Sequence, residues 1–118
     1  MLPTSDHFEL IQLADGVYAA IGNEDGGAAY SNAGIIDLGD RTLIFDAFML
    51  PDAARDLKAA AQELTAHPIT EVIISHPHSD HWGGTQVFDH GTTILASHTC
   101  RKVMLEWMQA VSYTHLRA

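Results

Sequence analysis

Three histidines and an aspartate fall within six positions, His76-Pro77-His78-Ser79-Asp80-His81, and Trp82-Gly83-Gly84 come directly after. Imidazole nitrogens and carboxylate oxygens are ligands that zinc takes, and four of them so close together can serve two metal ions. The chain carries 8 histidines in 118 residues, yet at its own His and Asp frequencies the pattern H-x-H-x-D-H arises by accident in only roughly 0.3 % of shuffled versions. The cluster therefore reads as metal-binding. His76 and His78, two positions apart, suit an extended loop in which alternate side chains point to one side. Asp80 and His81 offer a second ligand direction as the chain turns. Two zinc ions roughly 3.5–4 Å apart can share a hydroxide, and coordination brings the pKa of water down to about 7, so a nucleophile exists at neutral pH. Such a hydroxide attacks a carbonyl or phosphoryl centre while the metals stabilise the oxyanion. Asp80 is the candidate catalytic residue, orienting the nucleophile and carrying a proton to the leaving group.

Positioning this cluster falls to the elements around it. Glu71-Val72-Ile73-Ile74-Ser75, immediately before it, reads as the buried end of a strand over Ile69–Ser75, and a strand end feeding a polar loop is where ligand sites sit on α/β sheets. Upstream, Phe8–Leu13 and Val17–Ile21 form a hairpin about Asp15-Gly16, and Ala33–Leu38 and Thr42–Asp46 form another about Gly39-Asp40. Pro51 opens a helix whose Ala53, Leu57, Ala60, Ala61 and Leu64 recur at helical spacing, and His67-Pro68 stops it. A short helical turn over Gly84–Phe88, a strand over Thr92–Ala96 and a helix over Thr99–Ala110 complete the pattern. The fold class is α/β (α+β), a mixed, mostly antiparallel sheet with helices on one face. Cys100 reads as a small buried hydrophobe, His67 as a residue compatible with a helix C-terminus, and His7 and His90 as exposed residues without partners at ligand spacing; His98 follows a strand and could lie near the site, but a lone histidine is a weak signal of ligation. Trp82 either walls the pocket or belongs to the core.

Composition narrows the function. With 47 % hydrophobic residues the chain is an ordinary globular sequence with room for one domain or part of one. A net charge of −9 disfavours a nucleic-acid surface, which needs a basic footprint; the partner expected with the metal chemistry is a small-molecule substrate. The single Cys100 makes no internal disulfide, no apolar run has the length of a membrane span, and Met1–His7 lacks the features of a signal peptide, so a cytoplasmic location is expected.

The string His76–Gly84 resembles the signature of the metallo-β-lactamase-fold superfamily of metallohydrolases, and Tyr30–Asp37 followed by Arg41–Asp46 is similar to the hairpin that precedes that signature and ends in an aspartate. The resemblance runs from about Phe8 to Leu105 and covers the N-terminal half of such a domain, placed here at residues 1–111. It implies half of a four-layer αββα sandwich, with His76 and His78 on a first zinc and Asp80 and His81 on a second. The other ligands, a histidine on each ion and a bridging aspartate, normally arrive several tens of residues downstream, so this polypeptide is expected to be truncated. Asp46 is expected to orient the motif from outside the ligand sphere or to bond local backbone, and Asn32 to tie either the motif loop or the start of its own strand. Gly83 and Gly84 either let the backbone pass close to the metals or serve as turn residues. The tip Asn23–Gly27 resembles the hairpin that covers substrate in the family.

A hydrolase acting on an ester, lactone, thioester, amide or phosphoester is the reading these features favour. A non-catalytic metal-binding fragment is the alternative, as is the di-iron oxidoreductase branch of the fold, which carries glutamate where this chain has His78. Residues 112–118 resemble a non-native adapter-derived tail that breaks the preceding helix. With one half present, the inner sheet face should be uncovered and dimerisation through it is expected.

Overall fold

The hydrophobic alternation of the first half builds a meander, and the helix-forming stretches then carry the chain across one face of it. The computed structural model describes residues 1–24 and 28–117, with side chains of the last helix described through Trp107. Six strands form one sheet in sequential order: β1 (Phe8–Ala14), β2 (Val17–Gly22), β3 (Asn32–Asp37), β4 (Thr42–Phe45), β5 (Ile69–Ile74) and β6 (Thr93–Ala96). The pairs β1–β2, β2–β3 and β3–β4 are antiparallel, whereas β4–β5 and β5–β6 are parallel. The first parallel crossover is α1 (Pro51–Thr65); the second contains a four-residue helix, α2 (Ser79–Trp82), and a 3-10 turn at Thr85–Val87. The last helix, α3, spans His98–Arg117. No glycine or proline interrupts it, so the break expected near residue 112 does not occur in the backbone. Of the glycine-rich tip, Asp25, Gly26 and Gly27 lie outside the described residues, as does Ala118.

One face of the sheet is closed by α1. The helix starts at Pro51, where a missing N–H costs nothing, and ends with Ala66 in the left-handed conformation (φ 56°), donating its N–H to Gln62 O. Its buried residues, Ala53, Ala54, Leu57, Ala60, Ala61 and Thr65, are mostly small, so the helix lies close on a sheet face built by Phe8, Leu10, Ala20, Ala33, Ile35, Ile44, Val72 and Ile74. Leu57 is fully buried, a contribution of about 1.5–3 kcal/mol. The rings of Phe8 and Phe48 stack at 5.4 Å, and the buried hydroxyls of Thr42 and Thr65 bond at 2.6 Å, tying the end of α1 to β4. Cys100 of α3 joins the same core.

His67 does not cap α1. Its Nδ1 lies 3.0 Å from Asp37 Oδ1, and it thereby clips the entry of β5 to the end of β3. The Gly39 N–H, foremost, and His67 hold the Asp37 carboxyl below the usual carboxylate range. His7 also has a partner: its Nδ1 accepts the N–H of Ala28 at 3.2 Å.

The opposite face of the sheet is apolar as well. The register aligns Ile11, Ala19, Gly34, Phe45, Ile73 and Leu95 in one row across all six strands, with Val17, Ile36 and Leu43 in the next. Leu13, at 65 % exposed, Ile11, Phe45 and Leu95 all stand open to solvent. A contiguous apolar surface of this kind drives association. The chain by itself is expected to bind a hydrophobic dye and to self-associate in light scattering, and Leu13→Lys should weaken both. A dye-silent, monodisperse monomer would contradict this reading of the face.

Candidate metal centre

Strands β4 and β5 are parallel, so both release the chain at the same edge of the sheet, and the motif forms there. The chain leaves β5 extended through His76 and His78 (φ −65°, ψ 141° at His78), as the two-residue spacing requires, and then turns into α2. Asp80 and His81 lie on this helix rather than on a loop, a change from the sequence expectation. The turn closes with His81 N–H bonded to His78 O at 3.0 Å and Gly83 N–H to Ser79 O at 2.7 Å.

Asp46, the residue after β4, organises the cluster from below. It is 3 % exposed and adopts φ 63°, a left-handed conformation that aspartate tolerates better than most residues. Its Oδ1 accepts the N–H of Ser75 at 2.7 Å, and its Oδ2 accepts the Ser75 hydroxyl at 2.6 Å and faces His81 Nδ1 at 2.8 Å. One carboxylate therefore holds both the residue that leads into the motif, Ser75, and the ring of His81. Proton donation from His81 Nδ1 to Asp46 leaves the Nε2 lone pair free, turned toward Asp80 Oδ1 at 3.8 Å.

The segment after Asp46 is bonded to the motif through its backbone. Ala47 N–H donates to His81 O at 2.8 Å, and Gly84 N–H to Phe48 O at 3.1 Å. Phe48 is also left-handed (φ 62°) and fully buried, a strained backbone fixed by its packing. Gly83 and Gly84 are required by this close approach to residues 47–50. A Cβ on Gly83 would strike Met49 O, and one on Gly84 would strike Ala47 O and the Ala54 methyl of α1. Asn32 ties its own strand, its Oδ1 accepting Gly22 N–H at 3.0 Å. The neighbouring Ser31, which sequence reasoning passed over, instead donates its hydroxyl to Asp80 O. Trp82 donates its indole N–H to Pro77 O at 2.7 Å while packing against the core. It braces the motif from within.

At the outer side, His76 Nε2 and His78 Nδ1 face each other at 2.6 Å, with the His76 ring 5.1 Å from that of His81. Two nitrogens on one tetrahedral zinc stand roughly 3.3 Å apart, given Zn–N distances of about 2.0–2.1 Å. Widening the pair by about 0.7 Å would bring the two nitrogens to the spacing of a shared zinc ion. The donor types suit zinc, yet among the described residues no group of three or more His, Cys, Asp or Glu is arranged to hold a metal ion. His90 and His98 are exposed and belong to no such group among the described residues; the side chain of His115 lies outside them. Cys100 adds no thiolate, because burial, and secondarily the Asp46 carboxylate, push its pKa up. A groove leads from Asp46, Asp80 and His81 along Tyr30, Gly34 and Phe45 onto the open sheet face.

The model of the metallo-beta-lactamase superfamily matches residues 26–100, and the chain belongs to that superfamily. Among solved structures, the fold resembles a metallo-beta-lactamase from Hirschia baltica (TM-score 0.72, 24% identity, covering 86% of this chain and 48% of that one). It is similar also to one from Erythrobacter litoralis (TM-score 0.72, 22% identity, 87% and 47%). A third, from Pseudomonas aeruginosa in a mono-zinc form, gives a TM-score of 0.72 at 18% identity, with 88% and 48% covered. The chain thus spans about half the length of these structures. A comparison with curated proteins finds no match. Among the described residues no helix is long and apolar enough to cross a membrane.

Two substitutions probe the scaffold. Gly84→Ala should destabilise the chain by about 1–3 kcal/mol in urea unfolding, as overpacking does, because the rigid Ala47 carbonyl and α1 both lie in the way. Asp46→Asn places an amide donor among groups that themselves donate. It should cost about 1–3 kcal/mol in the same measurement.

Proposed function

We propose that this chain carries part of the metal site of a zinc-dependent hydrolase, whose substrate is a small molecule with an ester, lactone, thioester, amide or phosphoester bond. The observation that carries the reading is the hold of Asp46 on His81 Nδ1 at 2.8 Å, which leaves Nε2 beside Asp80 for a ligand bond, in a motif whose His76 and His78 rings face each other. Membership of the superfamily supports a metallohydrolase chemistry in general. His76 and His78 would hold one zinc, Asp80 and His81 a second, with the remaining ligands supplied by a part of the fold that this chain does not span.

Zinc, when bound, polarises a carbonyl or phosphoryl oxygen and acidifies water at neutral pH. Around it the residues of this chain have separable tasks. Asp46 keeps the His81 ring oriented and its Nε2 available as a lone pair. Asp80, half-buried at the start of α2, has its backbone carbonyl fixed by Ser31, which leaves its carboxylate to accept a proton and deliver it to a leaving group. Cytoplasmic placement goes with this reading.

One observation favours a second reading for the 118-residue chain taken alone. No three-donor group exists among its described residues, which suits a metal-binding fragment without turnover. Metal content after zinc reconstitution and desalting, measured by plasma mass spectrometry, tests the site. At least one zinc should be retained per chain and lost in His76→Ala/His78→Ala. Retention undiminished by that double substitution would overturn the assignment of the ligands. Turnover of an ester and lactone panel by a protein spanning the full superfamily fold then separates enzyme from binder.

A further inference from the structure

The His78 ring has a neighbour that the metal reading leaves without a task. Trp107 of α3 stacks on it, with ring centroids 5.6 Å apart and planes inclined by 12°. The indole comes there by helical periodicity. Cys100 is buried in the core, Met104 packs against that core one turn on, and Trp107 stands at the next turn of the same stripe. Trp107, 43 % exposed, meets the motif instead of the hydrophobic interior. His76 lies edge-on to His78, its ring centroid 4.0 Å away at 89°. Trp107 and His76 thus define the plane of an imidazole that is itself exposed and, among its described contacts, bonded only to His76.

We infer that Trp107 is a positioning residue, holding the His78 ring so that Nδ1 faces His76 Nε2. The inference rests on the metal reading for its consequence but not for its geometry. An exposed imidazole turns freely about its side-chain bonds, and ordering it on metal binding costs entropy; a flat aromatic surface against one face removes that freedom beforehand. Hydrogen-bonding partners that orient a ligating histidine change metal affinity by about 10–100-fold when removed, and a stacked ring acts on the same orientation.

The test uses the full 118-residue chain with Trp107→Leu, which keeps apolar bulk without a ring, and Trp107→Phe, which restores a ring. In the metal-free protein, imidazole proton resonances of His78 should lie upfield in the parent and in Trp107→Phe. They should move toward those of the exposed His90 in Trp107→Leu. Zinc affinity by competition with a chromogenic chelator should fall about tenfold in Trp107→Leu and recover in Trp107→Phe. Identical His78 resonances in parent and Trp107→Leu would overturn the inference, as would shifted resonances with unchanged zinc affinity. A parent chain that took up no zinc would count against the proposed ligands. The ring resonances would still decide whether Trp107 orients His78.

Discussion

A carboxylate buried to 3 % exposure has to have its oxygens occupied, and the way Asp46 meets this demand organises everything at the sheet edge. Its two oxygens take the N–H and hydroxyl of Ser75 and the ring N–H of His81. The end of β4, the exit of β5 and the helix α2 are thereby joined through one side chain. Hydrogen bonds to a charged group are individually worth about 1.5–3 kcal/mol, several times the usual contribution of a surface contact. The left-handed backbone at Asp46 turns the chain back under the motif, and its cost is carried by those bonds.

Residues 47–50 extend the same constraint into the core. Ala47 and Phe48 bond to His81 and Gly84, while Met49 and Leu50 donate their N–H groups to Ala29 and Ala28. The motif, the segment leaving β4 and the chain entering β3 therefore form one connected backbone layer. Gly84 is pressed between that layer and Ala54 of α1. A small residue on the helix and a missing side chain in the motif are two halves of one contact, so the packing of α1 and the placement of the histidines cannot be varied independently.

The sheet itself is two-sided in a way that bears on function. One face is sealed by α1 around Leu57, Ile44 and Val72; the other presents a row of apolar side chains that ends beside Asp46 and His81. The metallo-beta-lactamase structures that the fold resembles are about twice as long as this chain, and the open face and the motif both lie on the part of that fold that it spans.

Much of this was legible in the residues. The alternation of β1 to β4, the Asp15-Gly16 turn, the Pro51 start and the three-and-four spacing of Ala53, Leu57 and Ala61 are local signals, since strand and helix periods are properties of neighbouring positions. The clustering of His76, His78, Asp80 and His81 is likewise local, and it located the candidate site. The helix at Ser79–Trp82 was not legible, because four residues carry no period. Nor were Ser31 on the Asp80 carbonyl, His67 on Asp37 or Trp107 on His78, each a contact between residues about 30 or more positions apart. Asn32 and Ser31 could exchange tasks unnoticed in a sequence, since strand register alone decides which of two adjacent polar side chains faces the motif. Residue type and spacing determined which chemistry this chain can offer and at which edge of a sheet. Tertiary structure alone decided which nitrogen of His81 is free, what holds it, and which glycine has no room for a side chain, because these depend on atoms that only folding brings within bonding distance.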